Sequence, residues 1–238
     1  SEAAIELGIG AGGDTMKKID LVAEKALIDV LEKHEVSCTL ISEETGTKKI
    51  GPQPSEFYVT TDPVDGTTNA VRGIPFMATA IAVSKVPYLK DVETALVSDI
   101  FHNVTYTAQR DQGALRNGKK IKPSQTSSLE EAVVGVDFNT LRLGELIASL
   151  EEVLVRTRHL RHFGANALEI CYVPDGTTDA FIDIRCKLRV TDIAAAYLIL
   201  LEAGGIMVTP EGTELNVQLA ADQRAAFIAA ANEKIYRT

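Results

Sequence analysis

The sequence predicts an α+β fold, and two observations lead to this expectation. In the first half, short β-rich segments alternate with polar turns, which is typical of an antiparallel sheet; they lie at 79–83, 94–100 and 104–108. In the second half, helical and strand-like segments alternate, which is typical of α/β layers. We therefore expect two sheets of different character in one chain.

A polar stretch at 122–128 separates the two patterns. It contains Pro123 and several Ser and Thr residues, a composition common in connections between structural units. We expect an α+β subdomain at 1–126 and an α/β subdomain at 127–238. A chain of 238 residues is long enough either for one large domain or for two small ones, and composition does not choose between them.

The first half also contains elements outside the meander. Apolar residues at helical spacing predict an amphipathic helix at 19–31. Buried strands are predicted at 38–41 and 57–61, and each runs directly into acidic residues. An Asn-Gly turn indicates a hairpin at 113–120. Two strands thus deliver carboxylates at their carboxyl ends.

The second half is predicted to alternate strands with helices. The predicted strands are 132–136, 180–184, 206–208 and 227–230. The predicted helices are 142–154, 165–172 and 191–203. Gly204 and Gly205 follow the last helix directly, as is common after a helix carboxyl end.

The bulk composition limits the function classes. Hydrophobic residues make up 45% and charged residues 24%, which is ordinary for a soluble globular protein. No apolar run approaches the roughly 20 residues that span a bilayer, and no signal-peptide pattern opens the chain, so we expect a cytoplasmic protein. The net charge of −9 argues against nucleic acid or an anionic membrane as the main partner. Cys38, Cys171 and Cys186 are predicted to be isolated thiols rather than a disulfide or zinc framework.

The segment at 62–69, DPVDGTTN, is the strongest candidate for chemistry. If the strand ends at Thr61 and Pro63 fixes a tight turn, Asp62 and Asp65 point to a common centre. The carbonyl oxygen of Val64 then faces the same way, and hard divalent cations prefer such a mixture of oxygen ligands. By itself, the segment is equally consistent with an Asp-rich turn that caps a helix.

Two further acids stand where they can join this segment. Glu43 follows the first strand, although Ser-Glu-Glu alone is commonly a solvated loop. Asp192 begins a predicted helix, where a carboxylate is favoured by the helix dipole even without a ligand. Each is weak evidence in isolation, and together they favour a metal site.

The combination of these segments resembles the inositol monophosphatase family. It consists of SEE at 42–44, DPVDGTTN at 62–69, TDIAA at 191–195 and EAGG at 202–205. Residues 70–75 and 183–185 resemble the archaeal branch with dual inositol monophosphatase and fructose-1,6-bisphosphatase activity. The resemblance runs from about Gly12 to Lys234. It implies a layered αβαβα sandwich, with an antiparallel sheet in the N-terminal half and a mixed sheet in the C-terminal half.

The resemblance implies a two-cation ligand set. Asp62 bridges the cations, Glu43 and the Val64 carbonyl complete one site, and Asp65 and Asp192 complete the other. Two or three Mg²⁺ ions per active site are expected.

The resemblance also assigns catalytic residues. Thr67 and Asp20 match the pair that orients the attacking water, although Asp20 also suits an N-cap of the following helix. Glu43 counts as catalytic as well as a ligand.

Substrate contacts are implied mainly in the second half. Asn166 lies in a small-residue segment near a helix start, where relatives usually carry alanine. Asp183 matches an acid that holds a sugar or inositol hydroxyl. Arg161 and Arg185 match basic positions that reach a hydroxyl or a second phosphate, and each is equally consistent with a structural ion pair. On the phosphate side, the contacts fall on Asp65, Gly66 and Thr67.

The implied function is a Mg²⁺-dependent phosphomonoesterase acting on inositol monophosphate, fructose 1,6-bisphosphate or both. A metal-activated water attacks phosphorus in line, without a covalent enzyme intermediate. The alternative substrates are NADP and 3′-phosphoadenosine-type nucleotides. A non-catalytic protein that binds a metal or phosphosugar is a further alternative. None of the four histidines lies in a recognisable Ser or Cys triad, and there is no Asp-x-Asp-x-Thr near the amino terminus.

Family members are commonly homodimers, so a homodimer is expected. Relatives also carry a longer helix before the glycine-rich segment that contains Gly12 and Asp14. We expect that difference to alter dimer contacts or the mobility of the loop near Asp14.

Overall fold

The computed structural model describes residues 2–11, 13 and 15–238. Gly12 and Asp14 therefore lie outside the described residues, as does Ser1. The strands are β1 Glu6–Ile9, β2 Thr15–Lys17, β3 Cys38–Ser42, β4 Gly46–Ile50, β5 Phe57–Asp65, β6 Ala78–Ser84, β7 Val92–Asp99, β8 Val104–Gln109, β9 Gly113–Arg116, β10 Lys119–Lys120, β11 Val133–Val136, β12 His159–Arg161, β13 Ala180–Arg189, β14 Ile206–Val208 and β15 Arg224–Ala230. The helices are α1 Lys18–Lys33, α2 Thr67–Arg72, α3 Leu143–Ser149, α4 Glu151–Arg156, α5 Asn166–Cys171, α6 Val190–Ala203 and α7 Glu233–Tyr236.

The first half forms an eight-stranded sheet in the order β10-β9-β8-β7-β6-β5-β3-β4. Its pairs are antiparallel, as expected, except that β3 and β5 run parallel with Ser42 opposite Thr61. Because the carboxyl ends of parallel strands meet at one edge, the residues that follow Ser42 and Thr61 emerge side by side. The parallel pair therefore brings Glu43 next to Asp62.

The second half forms a five-stranded mixed sheet in the order β12-β11-β13-β15-β14. Strand β11 is parallel to β12 and β13, whereas β15 is antiparallel to β13 and β14. The predicted mixed sheet is thus confirmed. Strand β13 ends at Arg189 and α6 starts at Val190, so the helix start lies at the end of this sheet.

Helices α5 and α6 lie between the two sheets, and α6 contacts strands of both. All residues of α6 from Val190 to Leu200 are buried, as suits a helix that is apolar on every side. On the opposite face of the eight-stranded sheet, α1 packs Leu27, Ile28 and Leu31 on Leu40 and its neighbours. Helix α7 contacts β15. The predicted αβαβα layering is confirmed.

Two sequence expectations about local structure are wrong. Strand β5 does not end at Thr61 but continues to Asp65, through a bulge that places two residues opposite one between its pairs at Asp62 and Asp65. The bulge accommodates Pro63, which has no N–H to donate to the ladder. The single helix expected at 142–154 is divided into α3 and α4 at Leu150, whose φ of −108° and ψ of 9° interrupt the helical path.

Sequence patterns missed several short elements, namely β1, β2, β4, β12, α2 and α7. Their burial is low or irregular, as in β4, where three exposed residues lie between two buried ones. The three cysteines are free thiols; Cys38 and Cys171 are buried and Cys186 is exposed. Among the described helices, none is both long and apolar enough to cross a membrane.

Candidate active site

Three carboxylates converge where the sheet edge meets the start of α6. Each of Glu43, Asp62 and Asp192 offers one oxygen atom, and these oxygens all lie within 4.8 Å of one another. Asp62 and Asp192 are each 5% exposed. Like charges that are buried this close repel strongly unless a cation compensates them.

Asp192 is held by the start of α6. Its Oδ2 accepts the backbone N–H of Arg189 at 3.2 Å, and its Oδ1 accepts the hydroxyl of Thr191 at 3.0 Å. A carboxylate in the first turn of a helix is also stabilised by the helix dipole. A role for Asp192 at the helix start and a role as a metal ligand are therefore compatible, since the helix start fixes the same carboxylate that faces Asp62.

The bulge in β5 turns Asp62 and Asp65 to one side of the sheet. Asp62 Oδ1 accepts the N–H of Val64 at 3.0 Å. Asp65 accepts two N–H groups at the start of α5, from Asn166 at 2.9 Å and Ala167 at 2.7 Å. Asp65 therefore links the first half of the chain to the second, while its remaining lone pairs are available to a cation.

The electrostatics of these acids show a shortage of positive charge. Burial raises the pKa of Asp62 well above its usual value, and the charges of Glu43 and Asp192 raise it further. Burial also raises the pKa of Asp65 to about 8, with Asp192 adding to the shift. The pKa of Asp192 is raised by burial, although Arg189 opposes the change.

This donor set fits a hard divalent cation. The converging atoms are carboxylate oxygens, and neither sulfur nor imidazole takes part among the described residues. Val64 lines the same cavity. Mg²⁺ and Ca²⁺ prefer such oxygen ligands, whereas Zn²⁺ favours Cys and His. A bound cation would also offset the repulsion that adds to the effect of burial on the pKa values of Asp62 and Asp65.

Thr67 and Asp20 form a second functional unit beside the acids. The Thr67 hydroxyl lies 2.9 Å from Asp20 Oδ1 and 3.1 Å from the Val64 carbonyl oxygen. Asp20 also accepts the N–H of Lys17 at 2.8 Å. Asp20 is therefore not the N-cap of α1, as the alternative expected, but the acid three residues after the N-cap Lys17, and this contact coexists with the one to Thr67. Burial raises the pKa of Asp20, although both hydrogen bonds lower it. When the Thr67 hydroxyl donates its hydrogen to Asp20, the lone pairs of the Thr67 oxygen remain free to accept a hydrogen bond from a water.

Gly66 allows the two halves to approach closely. Its φ of +89° is in the left-handed region, and a Cβ there would lie 3.0 Å from Ala165 Cβ and 3.1 Å from the Phe76 carbonyl oxygen. Asn69 bridges the same gap, because its Nδ2 donates to the carbonyls of Phe76 and Phe163 at 2.8 and 2.7 Å. Any side chain at 66 would separate α2 from the start of α5.

A cavity of about 720 Å³ encloses these groups. Its walls include the predicted residues Asp20, Glu43, Asp62, Val64, Asp65, Gly66, Thr67, Asn166, Arg185 and Asp192. Arg161 and Asp183 are not among the described lining residues. Arg161 is exposed and donates to the carbonyl of Leu160, whereas Asp183 is 1% exposed behind the wall.

The sequence model of the inositol monophosphatase family matches residues 2–237. This chain belongs to the inositol monophosphatase family. The family and fold predicted from the sequence are thus confirmed.

Individual members of the family agree with this assignment. The fructose-1,6-bisphosphatase/inositol-1-monophosphatase of Methanothermobacter thermautotrophicus is 37% identical over 97% of this chain and 85% of its own. The bifunctional NADP phosphatase/NAD kinase of Methanococcus maripaludis is also 37% identical, over 96% of this chain. This chain spans only 43% of that relative's length. A crystal structure of an inositol monophosphatase–fructose 1,6-bisphosphatase superposes with a TM-score of 0.84 at 30% identity, covering 98% of this chain and 87% of that one. Each name includes a phosphatase, as predicted.

In this family member, Arg185 forms ion pairs with two buried acids, Asp137 and Asp183. Its Nε and Nη2 donate to the two oxygens of Asp183 at 2.9 and 2.6 Å, and Nη2 also reaches Asp137 at 2.5 Å. Its Nη1 donates to the Asn139 carbonyl at 2.8 Å, which leaves one Nη1–H without a partner among the described residues. Asp183 is thus the counter-ion of Arg185, and the ion-pair alternative considered for Arg185 is what the structure shows.

Sequence reasoning missed Arg189 as a member of the site. Its Nη1 lies 2.8 Å from Glu43 Oε1 and 3.9 Å from Asp192 Oδ2, and its side chain is 7% exposed. The available signal was its position three residues before Asp192, which places both on one side of the helix start. It also missed the cavity-lining Asp137, Asn139, His162, Lys187 and Arg224.

Glu169 is another missed residue, because it acts on backbone rather than substrate. Its Oε1 accepts the N–H groups of Phe163 and Gly164 at 3.0 and 2.8 Å. Burial raises its pKa to about 7. These bonds fix the cavity wall just before α5.

Proposed function

We propose that this protein is a Mg²⁺-dependent phosphomonoesterase that hydrolyses inositol monophosphate, fructose 1,6-bisphosphate or both. One observation carries the proposal: oxygens of Glu43, Asp62 and Asp192 converge within 4.8 Å of one another, in the cavity that the hydrogen-bonded Thr67 and Asp20 also line. The printed activities of the Methanothermobacter relative favour these substrates.

The metal would be held by Glu43, Asp62, the Val64 carbonyl, Asp65 and Asp192, with two or three Mg²⁺ ions per site. When bound, Mg²⁺ lowers the pKa of a water and stabilises negative charge on phosphate oxygens. The all-oxygen donor set supports the proposal that the bound metal is Mg²⁺.

The chain's own residues then position the reacting groups. Asp20 accepts a hydrogen bond from the Thr67 hydroxyl. The Thr67 oxygen then accepts a hydrogen bond from the attacking water, which directs a lone pair of that water at phosphorus. The backbone at Gly66 and Thr67, with α2 starting there, offers N–H groups to the phosphate. Such preorganised contacts supply positioning and charge stabilisation rather than covalent chemistry.

Substrate hydroxyls would meet the far wall of the cavity. Asn166 and the remaining Nη1–H of Arg185 line that wall and are proposed to bind them. Asp183 would act by holding Arg185 in place. Arg161 would contact only a substrate long enough to extend beyond the described lining.

We also propose that the protein is a cytoplasmic homodimer with neither nucleic acid nor membrane as partner. We further propose that it divides into a metal-binding subdomain at 1–126 and a second subdomain at 127–238.

NADP is the second candidate substrate. The Methanococcus NADP phosphatase/NAD kinase is as similar to this chain as the sugar and inositol phosphatase is, at 37% identity. The matched region is 43% of that protein, and a cavity of about 720 Å³ is large for a monosaccharide phosphate alone.

A substrate panel tests the proposal. Phosphate release is measured from inositol 1-phosphate, fructose 1,6-bisphosphate, fructose 1-phosphate, NADP and adenosine 3′,5′-bisphosphate, each with Mg²⁺ and with excess EDTA. We expect Mg²⁺-dependent release that is fastest with inositol 1-phosphate or fructose 1,6-bisphosphate. Faster release from NADP selects the second candidate, and no release from any substrate rejects both.

A further inference from the structure

Arg189 is a buried cation inside a cluster of acids that is otherwise suited to a metal. Its guanidinium contacts Glu43 at 2.8 Å and lies 3.9 Å from Asp192, so it spans two of the three converging carboxylates. The residue is 6% exposed. Its position is fixed at the junction of β13 and α6, because its own N–H is bound by Asp192.

The location of this charge has two opposite consequences. Before a metal binds, Arg189 offsets part of the repulsion among Glu43, Asp62 and Asp192. A divalent cation at the same cluster, however, is repelled by the guanidinium and competes with it for Glu43 Oε1. The same side chain therefore stabilises the unloaded cluster and weakens metal binding.

We propose that Arg189 is an internal counter-ion that sets the metal affinity of this site, holding Glu43 and Asp192 together until Mg²⁺ replaces its charge. This inference rests on the proposed function, because it takes the three carboxylates as metal ligands. It adds that the site is tuned to bind Mg²⁺ weakly and to keep its shape without it. Arg189 acts through Glu43 and Asp192 and is a positioning residue.

The alternative is that Arg189 only fixes the rotamer of Glu43. In that case its loss would leave a misplaced ligand, and Mg²⁺ would bind more weakly. The two roles thus predict opposite signs for the change in metal affinity.

The experiment compares Arg189→Met, Arg189→Lys and Arg189→Gln with wild type. Mg²⁺ affinity is measured by calorimetry, and the midpoint of thermal unfolding is measured with EDTA and with saturating Mg²⁺. Arg116→Met is the matched control, because Arg116 pairs with Asp175 away from the described cavity lining and its loss changes net charge equally. Arg189→Gln serves as a second neutral variant should Arg189→Met not fold.

For Arg189→Met we expect Mg²⁺ to bind on the order of tenfold more tightly, because one nearby positive charge is removed. Its midpoint in EDTA should fall by roughly 5–10 °C, since the carboxylates of Glu43 and Asp192 lose a cationic partner. Saturating Mg²⁺ should recover most of that loss. Arg189→Lys should stay close to wild type, and Arg116→Met should leave Mg²⁺ affinity unchanged.

Unchanged or weaker Mg²⁺ binding in both neutral variants would overturn the inference while leaving the metal site intact. An equal gain in affinity in Arg116→Met would also overturn it, because the effect would then be one of net charge. Failure of the proposed function looks different: wild type itself would bind no Mg²⁺ and release no phosphate from the substrate panel.

Discussion

Two walls of the same cavity carry acids, but the walls differ in how the negative charge of those acids is compensated. The acidic wall consists of Glu43, Asp62, Asp65 and Asp192, and the pKa values of its three aspartates are raised. The paired wall consists of Asp137 and Arg185, with Asp183 buried behind them. There Asp183 accepts from Arg185 through both oxygens, and Asp137 accepts from Arg185 and from the N–H of Asn139.

This contrast separates a ligand site from a structural ion pair. In the paired wall, the guanidinium of Arg185 contacts both acids directly, so a cation of the chain itself offsets part of their charge. In the acidic wall, oxygens of Glu43, Asp62 and Asp192 converge on one another, and burial raises the pKa values of the three aspartates. Arg189 offsets part of the charge of Glu43 and Asp192, and a cation from solution would complete the balance. This is the physical basis of the proposed metal site.

The largest expected effect comes from removing the central acid of the acidic wall. Asp62→Asn should reduce Mg²⁺-dependent phosphate release by about 10³-fold or more, because the ligand shared by the cluster loses its charge. Asp65→Asn should act similarly. The fold should remain intact, and the metal-free protein should become more stable, since a repelling charge has gone. Near-normal turnover in both variants would contradict the distinction between the walls.

The paired wall should respond in stability rather than in metal dependence. Arg185→Met leaves Asp137 and Asp183 buried without their cation and should cost about 3–5 kcal/mol of unfolding free energy. Urea unfolding at neutral pH measures this loss. The concentration of Mg²⁺ needed for half-maximal phosphate release should stay within a factor of about three of wild type. A large shift in that concentration with little loss of stability would reverse the roles of the two walls.

Thr67 tests whether the acidic wall positions a water as well as a metal. Thr67→Val removes the hydroxyl that contacts Asp20 and should lower kcat by about 10²-fold, with a smaller change in KM. Asp20→Asn should give a loss of similar size, and the double variant should lose little more if the two act as a unit. The control is Thr94→Val, an exposed position on β7 of the same sheet. Equal effects at 67 and 94 would rule out the positioning role.

Glu169 is a buried acid that belongs to neither wall, and burial is the main cause of its raised pKa. Its pKa is raised to about 7, so its contribution to stability is complete below its unfolded pKa and is lost as pH rises through 7. Glu169→Gln keeps an acceptor for Phe163 and Gly164 and removes this dependence.

We expect the unfolding free energy of Glu169→Gln, relative to wild type, to increase by on the order of 2 kcal/mol between pH 5 and pH 8. Urea titrations in EDTA at the two pH values measure the difference. A constant difference across that range would show that Glu169 does not titrate there.

The sequence predicted the layers and the acids that converge better than it predicted the residues expected to contact substrate hydroxyls. Strong periodicity predicted α1 and α6, and acids at strand ends predicted Glu43 and Asp62. The bulge in β5 escaped prediction because it depends on pairing with β6, which no local pattern records. Arg161, Asp183 and Arg185 were assigned by resemblance alone, and the pairing of Asp183 with Arg185 depends on a turn of β13 that the sequence does not reveal. Arg189 was missed because a basic residue near a metal motif is unexpected on charge grounds.

Direct measurement of Mg²⁺ binding tests the central claim most closely. Calorimetric titration of the wild type, from which metal has been removed, should show saturable binding, and Asp62→Asn should lose it while unfolding cooperatively like the wild type. Binding of equal affinity in Asp62→Asn, or no saturable binding in wild type, would contradict the assignment of the acidic wall as the metal site.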